Sequence, residues 1–590
     1  MITFKKEHNR QSDRASRNRT ALGLLLGVMG LLILTACSDW DDHYDANTSL
    51  VASQQSTLWE NIAKNENLSQ FATLVKKSGY DAILNASQAY TVWAPVNGSF
   101  DYDVLNTSDS SRLLRQFVQN HIARYNYPAS GNLNQKVYML NEKLMHFQGD
   151  GTYKMQDVQL NDGSIACNNG IIHLLQNKIP FMQNIYESLN NEQFEIDLIS
   201  EYYHKYDVRK LNEVQSVAGP IVDGEQTYLD SVFYESNQLS SLFNAYINQE
   251  DSNYSMLIPT NKAWKEARDT IMKFFNYVPT FRFVRTTASG ADTTIVVNLS
   301  DADELRDSVT NLMLFRGLTF NNNILDNKKL GALASGQSLD CDSLVSTTGD
   351  IFYADDSKKL FENTLRVDKS NGAIWVTDTI GLPTWCIWNP EIVAQAEGYV
   401  YKTQYAGETG FVRVNSSNQN PNIAGKVSNG YYYEARPNTP SDHPDIYIHL
   451  PNVRSAEYNV YIVMIPGNMV STQAEYKPNS FSAFIRYAQS DGSLVTEQKN
   501  QFKNPDGSGS LFVTSDEAKI DTILLGSVTF PIAYVGTGEN YPYLHIKSRF
   551  SSSNNDKYDR TLRVDCVILR PKALDEYLKA HPGYKYDKYY

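Results

Sequence analysis

Residues 90–100 read Tyr-Thr-Val-Trp-Ala-Pro-Val-Asn-Gly-Ser-Phe, and residues 254–264 read Tyr-Ser-Met-Leu-Ile-Pro-Thr-Asn-Lys-Ala-Trp. Both run from a Tyr through an apolar stretch to a Pro, then place an Asn two residues on and an aromatic three residues beyond it. This is an internal repeat. The first run, Tyr90 to Ala94, is β-branched and aromatic, which suits a buried strand. Pro95 has no amide to donate and suits the strand's end. Asn97 and Asn261 have the chemistry of helix N-caps. After Asn261, Trp264, Ala267, Ile271 and Phe274 recur at helical spacing on one face. Each copy therefore reads as strand, Pro-marked exit and capped helix.

A second pair follows the first. Asn169-Gly170-Ile171-Ile172-His173 corresponds to Asn371-Gly372-Ala373-Ile374-Trp375, an Asn-Gly turn signal followed by an apolar strand. Helix-like runs at 113–121 and 309–315 lie between the pairs. From Tyr90 to Asn169 is 79 residues and from Tyr254 to Asn371 is 117, so the second copy carries 38 extra residues. They are expected to be split between 277–301 and 321–366.

These elements together resemble the fasciclin domain. Its first box resembles Thr91-Val92-Trp93-Ala94-Pro95 with Asn97 and Phe100. Its middle element resembles Asn120-His121, and its last box Asn169-Gly170-Ile171-Ile172-His173. The second copy departs from the pattern: no His follows Leu312–Phe315, and Trp375 stands where the first copy has His173. The resemblance covers roughly residues 50–390. It implies that His121 and His173 are structural.

Around this repeat the chain has 590 residues, with 20% charged and 42% hydrophobic side chains, an ordinary globular composition with room for several cores. Its 38 tyrosines fit either strand-rich structure or a tyrosine-lined surface. Residues 1–36 contribute +4, which leaves −17 of the overall −13 on the remainder. An acidic body argues against nucleic acid as a partner. The cysteines Cys37, Cys167, Cys341, Cys386 and Cys566 are dispersed without a CxxC, which argues against zinc. Cys341 and Cys386 could pair.

A basic start and an apolar stretch at 21–34 form a signal-peptide core ending in Leu34-Thr35-Ala36-Cys37. This resembles a bacterial lipobox. The resemblance implies cleavage before Cys37, lipidation of its thiol and anchoring in a membrane. The following Ser38-Asp39-Trp40-Asp41-Asp42 resembles the acidic export tag of Bacteroidetes surface lipoproteins. It implies the outer membrane, facing the exterior.

At Thr57 a capping box opens the first folded domain, with Glu60 three residues on. Residues 181–212 read as helical. From about 395, short strands separated by Pro, Gly, Asn and Ser loops indicate an antiparallel sandwich, with strands expected at 431–435, 458–466, 481–487, 523–535, 543–547 and 562–569. The last of these resembles the closing strand of galactose-binding-type jelly rolls. The expected architecture is a multidomain α+β and all-β chain, with two fasciclin-like domains followed by an antiparallel jelly-roll-like β-sandwich. Its segments are a signal peptide (1–36), a lipidated acidic tether (37–52), fasciclin-like domains (53–182 and 183–392), a sandwich (393–572) and a Tyr-rich tail (573–590) whose last stretch, 584–590, reads as mobile.

No Walker loop, HExxH or GxSxG occurs, and no cofactor or metal ligand set stands out, so no enzyme is expected. Flat aromatics beside polar groups can stack on sugar rings. Tyr431, Tyr433, Glu434 and Arg436 form one such group, and Tyr541, Tyr543 and His545 another. The expected role is a non-catalytic surface lipoprotein. It would serve as a glycan-binding or accessory component of a SusCD-type uptake system, with a TonB-dependent transporter and its SusD-type lid as partners. The alternative is a fasciclin-type adhesin.

Overall fold

A computed structural model describes residues 56–586, apart from 191–192, 215, 288, 471–476, 496–500, 505–507, 510 and 535–541. The signal peptide, Cys37 and the acidic tether lie outside the described residues, as do Tyr541 and residues 587–590. Among the described residues no helix is long and apolar enough to cross a membrane. The chain forms two compact units: residues up to Met182 with Arg209–Tyr234, and Gln183–Val208 with Glu235–Tyr590.

In the first unit Thr57 caps the helix Leu58–Lys64 through both halves of a capping box. Helix α1 (Ser69–Lys77) buries Phe71, Leu74 and Val75. Strand β1 (Tyr90–Pro95) is buried along its whole length. It lies between β2 (Ile122–Arg124), antiparallel, and β4 (Gly170–Leu175), parallel, with β3 (Ile165–Cys167) outside β4. Burial on both faces explains why its sequence is continuously apolar instead of alternating. One face meets Leu58, Phe71 and Phe117; the other, through Trp93, meets Phe147 and Met155 of a four-stranded meander over 132–159.

The second unit repeats this sheet with β5 (Tyr254–Pro259), β8 (Thr319–Asn321), β9 (Leu365–Lys369) and β10 (Gly372–Thr377) in the order β8-β5-β10-β9. The register is the same: Tyr90 faces Gly170 and Tyr254 faces Gly372. A Cβ at Gly170 would stand 2.0 Å from the Tyr90 carbonyl oxygen, and one at Gly372 would stand 1.9 Å from that of Tyr254. Close backbone approach therefore demands both glycines. Each preceding Asn is a latch. Asn169 accepts from the Leu58 amide and donates to the carbonyls of Leu84 and Ala86. Asn371 accepts from the Ile185 amide and donates to the carbonyls of Ile247 and Gln249.

Several expectations need correction. Neither Asn97 nor Asn261 caps the helix that follows it. Asn97 accepts from the Gln70 amide at the start of α1. Asn261 is the first residue of α3 (Asn261–Ile271), whose cap is Thr260, and accepts from the Leu198 amide at the start of α2 (Asp197–His204). Both tie the strand exit back to an earlier helix. The extra residues of the second copy fall almost wholly around the first of the two expected segments. Tyr254 and its partner Asn321 are 67 apart where Tyr90 and its partner Arg124 are 34 apart, so nearly all the excess falls there. It forms the hairpin β6 (Thr280–Thr286) and β7 (Asp292–Asn298). The helical reading of 181–212 gives way to a strand at Asp207–Leu211. Cys341 and Cys386 are unpaired, as are Cys167 and Cys566.

Beyond residue 391 two antiparallel sheets face each other. The first has the order β13 (Glu408–Arg413), β14 (Tyr431–Arg436), β21 (Leu562–Pro571), β16 (Glu457–Met464), β19 (Asp521–Thr529), and β11 (Ile392–Gln395) also pairs with β21. The second has the order β12 (Val400–Gln404), β15 (Asp445–His449), β20 (Tyr543–Ser548), β17 (Ser480–Arg486), β18 (Val513–Thr514). Ile446, Ile448, Val460, Ile462, Leu544, Ile546, Val564 and Val567 fill the space between them. The segment expected as a Tyr-rich tail begins with helix α4 (Lys572–Ala580), and Tyr584, expected to be mobile, is only 8% exposed. Its hydroxyl donates to Asp356 at 2.5 Å and accepts from the Trp385 indole at 3.1 Å. The aromatic character that suggested a loose tail serves burial.

Candidate functional site

On β14 the side chains alternate. Tyr433 points into the sandwich, 7% exposed, and its hydroxyl bonds Thr403 at 2.7 Å. Tyr432 faces the other way into a separate apolar cluster with Val414, Ile423 and Met469. Glu434 is buried and held by Arg563 at 2.7 Å and Arg436 at 2.6 Å, with Arg563 also bonded to Asp559 at 2.7 Å. Tyr433 and Glu434 thus serve the fold, and Tyr431 and Arg436 reach solvent. Neighbouring β13 is the sheet edge, and pairing places Arg413 opposite Tyr431 and Phe411 opposite Tyr433. Phe411, 53% exposed, and Tyr431, 38% exposed, are diagonal neighbours on one face. Tyr405 in the preceding turn is also exposed. The result is an open aromatic strip beside Arg413, while Arg436 lies on the opposite face with Glu434 and Glu408. Phe411 was missed in the sequence because β13 shows no apolar alternation.

Tyr543 and His545 lie on the second sheet, on its outer face. They are 3% and 5% exposed. Tyr447 stacks on His545 with ring centres 4.0 Å apart, and Asp445 lies 3.3 Å from His545 and 3.4 Å from Lys547. Tyr401 stacks on His449 at 3.8 Å, and burial lowers the His449 imidazole to about 4. Val284 of β6 packs on Tyr447 and Tyr543, and Asp292 of β7 pairs with Lys402 at 2.9 Å. The insertion hairpin thus lies against this face. The two residue groups singled out in the sequence occupy different sheets and do not form one site.

In the first unit the two histidines are fully engaged. His121 donates from Nδ1 to the Phe117 carbonyl at 2.7 Å and accepts the Ile179 amide at Nε2 at 2.9 Å. His173 bonds the Tyr127 carbonyl at 2.7 Å and the Ser164 hydroxyl at 2.8 Å. Burial pushes both imidazoles down to about 4, so they are neutral at physiological pH. With both ring nitrogens of each committed, neither histidine has a lone pair for a metal.

Among the described residues no group of three His, Cys, Asp or Glu side chains gathers. One oxygen cluster could nevertheless hold a cation. Asp565 is the extra residue of a β-bulge, since Val463 pairs with Cys566 and Met464 with Val564. Its Oδ2 accepts the Ser428 amide at 2.9 Å, while its Oδ1 is buried without a partner. Gln395 donates to the Ser428 hydroxyl, and Glu397 accepts from Asn429. Gln395 Oε1 and Glu397 Oε2 are also buried without partners. Burial raises the Asp565 carboxyl to about 8, so a cation would have to displace its proton. With that proton gone, two carboxylates and an amide oxygen are donors that a hard cation such as calcium takes. Glu397 and Asp565 are 168 residues apart, so spacing gave no hint of the cluster.

Residues 66–179 match the fasciclin domain family. These residues form a fasciclin domain. The chain is also similar to the FAS1 domain pair from the insect cell adhesion molecule fasciclin I, at 13% identity over 55% of this chain and 100% of that one, with a TM-score of 0.20. It resembles a Paenibacillus xanthan lyase at 13% identity over 35% of this chain and 15% of the lyase, with a TM-score of 0.19. It also resembles the K2 cleaved adhesin domain of Lys-gingipain at 11% identity over 30% of this chain and 88% of that domain, with a TM-score of 0.13. No curated protein matches the sequence. The fasciclin domain holds β1, β2 and β4 with Asn97, His121 and His173, the positions that carried the resemblance in the sequence.

Proposed function

We propose that this chain is a non-catalytic, lipid-anchored protein of the outer cell surface that works by binding. It serves as an accessory, glycan-binding component of a SusCD-type uptake system. The observation that carries this reading is the open strip of Phe411 and Tyr431 beside Arg413, planar faces next to a hydroxyl-bonding group. The lipobox-like Leu34-Thr35-Ala36-Cys37 and the acidic stretch behind it support the location. Purification of the tagged, lipidated protein from mildly solubilised outer membranes is expected to recover a TonB-dependent transporter and its lid. A glycan array is expected to give signals that the double substitution Phe411→Ala, Tyr431→Ala removes. Recovery of the protein alone, with an array unaffected by the substitution, would overturn the proposal. The fasciclin domain at 66–179 favours a second reading, adhesion to cells or matrix. A deletion strain with unchanged attachment would count against it.

A further inference from the structure

Where hairpin β6–β7 meets the sandwich, a cavity of about 40 Å³ is lined by Arg282 and Phe283 from the hairpin and by Arg486, Phe530, Tyr534 and Tyr543 from the sandwich. The volume suits a carboxylate or one or two waters. Arg486 is partly buried, and its Nε lies out of contact with water and with no hydrogen-bond partner. Among the described residues no carboxylate forms an ion pair with Arg486, and Arg282 has Asp491 as an electrostatic neighbour. Arg563 and Arg570, by contrast, each hold two acids. A guanidinium nitrogen that gives up water without gaining an acceptor is costly, so an anion in the cavity would restore what folding removes at Nε. Arg is the side chain best shaped to grip a carboxylate through two parallel bonds.

We infer that Arg486, with Arg282, forms an acid-recognition site for a carboxylate-bearing sugar, a uronic acid residue of a glycan. The inference deepens the glycan-binding reading and rests on it. Its residues are nonetheless separate from the Phe411–Tyr431 strip, so each can fail alone. The site is shared between the insertion hairpin and the sandwich. This gives the hairpin a use that its fold does not require.

The test is titration of the full-length protein with sodium D-glucuronate, followed by calorimetry and ligand-observed NMR, with D-glucose as the uncharged control. Saturable binding of glucuronate and none of glucose is expected. Arg486→Gln should weaken it by about 30-fold or more, the effect of removing a buried charge partner. Arg282→Gln is the second variant, and thermal melts of both must match the parent so that lost binding is not lost folding. No saturable glucuronate binding, equal binding of glucose, or unchanged affinity in a folded Arg486→Gln protein would overturn the inference. Loss of neutral-glycan binding in the Phe411→Ala, Tyr431→Ala protein with glucuronate binding intact would separate the two sites.

Discussion

The two copies of the repeat solve one folding problem with different side chains. Trp93 beside His173 in the first copy corresponds to Leu257 beside Trp375 in the second, so the large indole has moved to the partner strand. Trp93 packs on Phe147 of the meander at 5.5 Å between ring centres, whereas Trp375 packs on Phe361 at 5.4 Å and carries Arg366 over its face at 5.4 Å. His121, just before β2, becomes Leu318, just before β8. What does not change is the backbone scaffold: the same register, the glycine under the Tyr carbonyl and the Asn latch. The comparison teaches that backbone constraints define this repeat, while the side-chain core is negotiable so long as volume is kept.

The sharpest way to break that comparison is at the latch. Asn169→Ala leaves the Leu58 amide and the Leu84 and Ala86 carbonyls short of a partner. At 1–3 kcal/mol for each buried group the loss is about 5 kcal/mol, and Asn371→Ala should cost the second copy about the same. Calorimetry of the full chain should show the first substitution lowering one transition and the second lowering the other. Equal shifts of both transitions by either substitution would mean that the units do not unfold separately.

The histidines should split the copies by pH. His121 and His173 bind protons at about 4 when folded against 6.5 in the reference state, so the unfolded chain takes up protons first. Their contribution is whole above pH 6.5 and is lost as the pH falls towards 4. Between pH 7 and pH 5 each costs about 2 kcal/mol, about 4 kcal/mol for the pair. The second copy has Leu318 and Trp375 at these places. In its unit the imidazole lowered to the same value is His449, on the sandwich. Asp565, also in the second unit, works the other way: burial raises its carboxyl to about 8, so acidification favours its folded form and offsets His449. Melting followed from pH 7 to pH 5 should therefore lower the first unit and leave the second nearly in place. Parallel slopes would sink the assignment.

The repeat and its domain were legible because Pro, Asn and Gly mark backbone needs that local sequence records. Most sandwich strands were legible from period-two apolar alternation, as at Ile446, Ile448 and Leu450. The Asn97 and Asn261 bonds were misread because a cap looks local, and nothing in the sequence says which amide an Asn accepts from. The site residues were least legible. Tyr433 and Tyr431 share a strand face, and the partner strand alone decides that one is core and the other open. The cluster of Gln395, Glu397 and Asp565 depends on a bulge, and a bulge is a property of two strands.

That cluster gives a further contrast. If it takes calcium, only the second unit should respond to the ion. At about a hundredfold excess over the dissociation constant, calcium should stabilise its transition by about 3 kcal/mol, reversed by EDTA. The first unit's transition should stay in place. Asp565→Asn should abolish the response. A shift of both transitions, or of neither, would show that no such selective site exists.

The smallest expected effect concerns the chain end, which closes a surface of the second copy. The Tyr584 hydroxyl gives Asp356, 3% exposed, its 2.5 Å donor and gives the Trp385 indole an acceptor. Burial raises the Asp356 carboxyl above its ordinary range, and the tyrosine bond opposes that rise. Tyr584→Phe keeps the ring packed on Tyr577 and removes both hydrogen bonds. The carboxyl can then escape only by taking a proton, so the loss should be about 2 kcal/mol at neutral pH and shrink as the solution is acidified. Denaturant titration of the full chain at pH 7 and pH 5 reads this directly. A loss that stays constant with pH would place the cost in the indole's missing acceptor and not in the carboxylate. Asp356→Asn should then be harmless beside it, whereas a carboxylate-centred lock predicts that Asp356→Asn and Tyr584→Phe are far from additive.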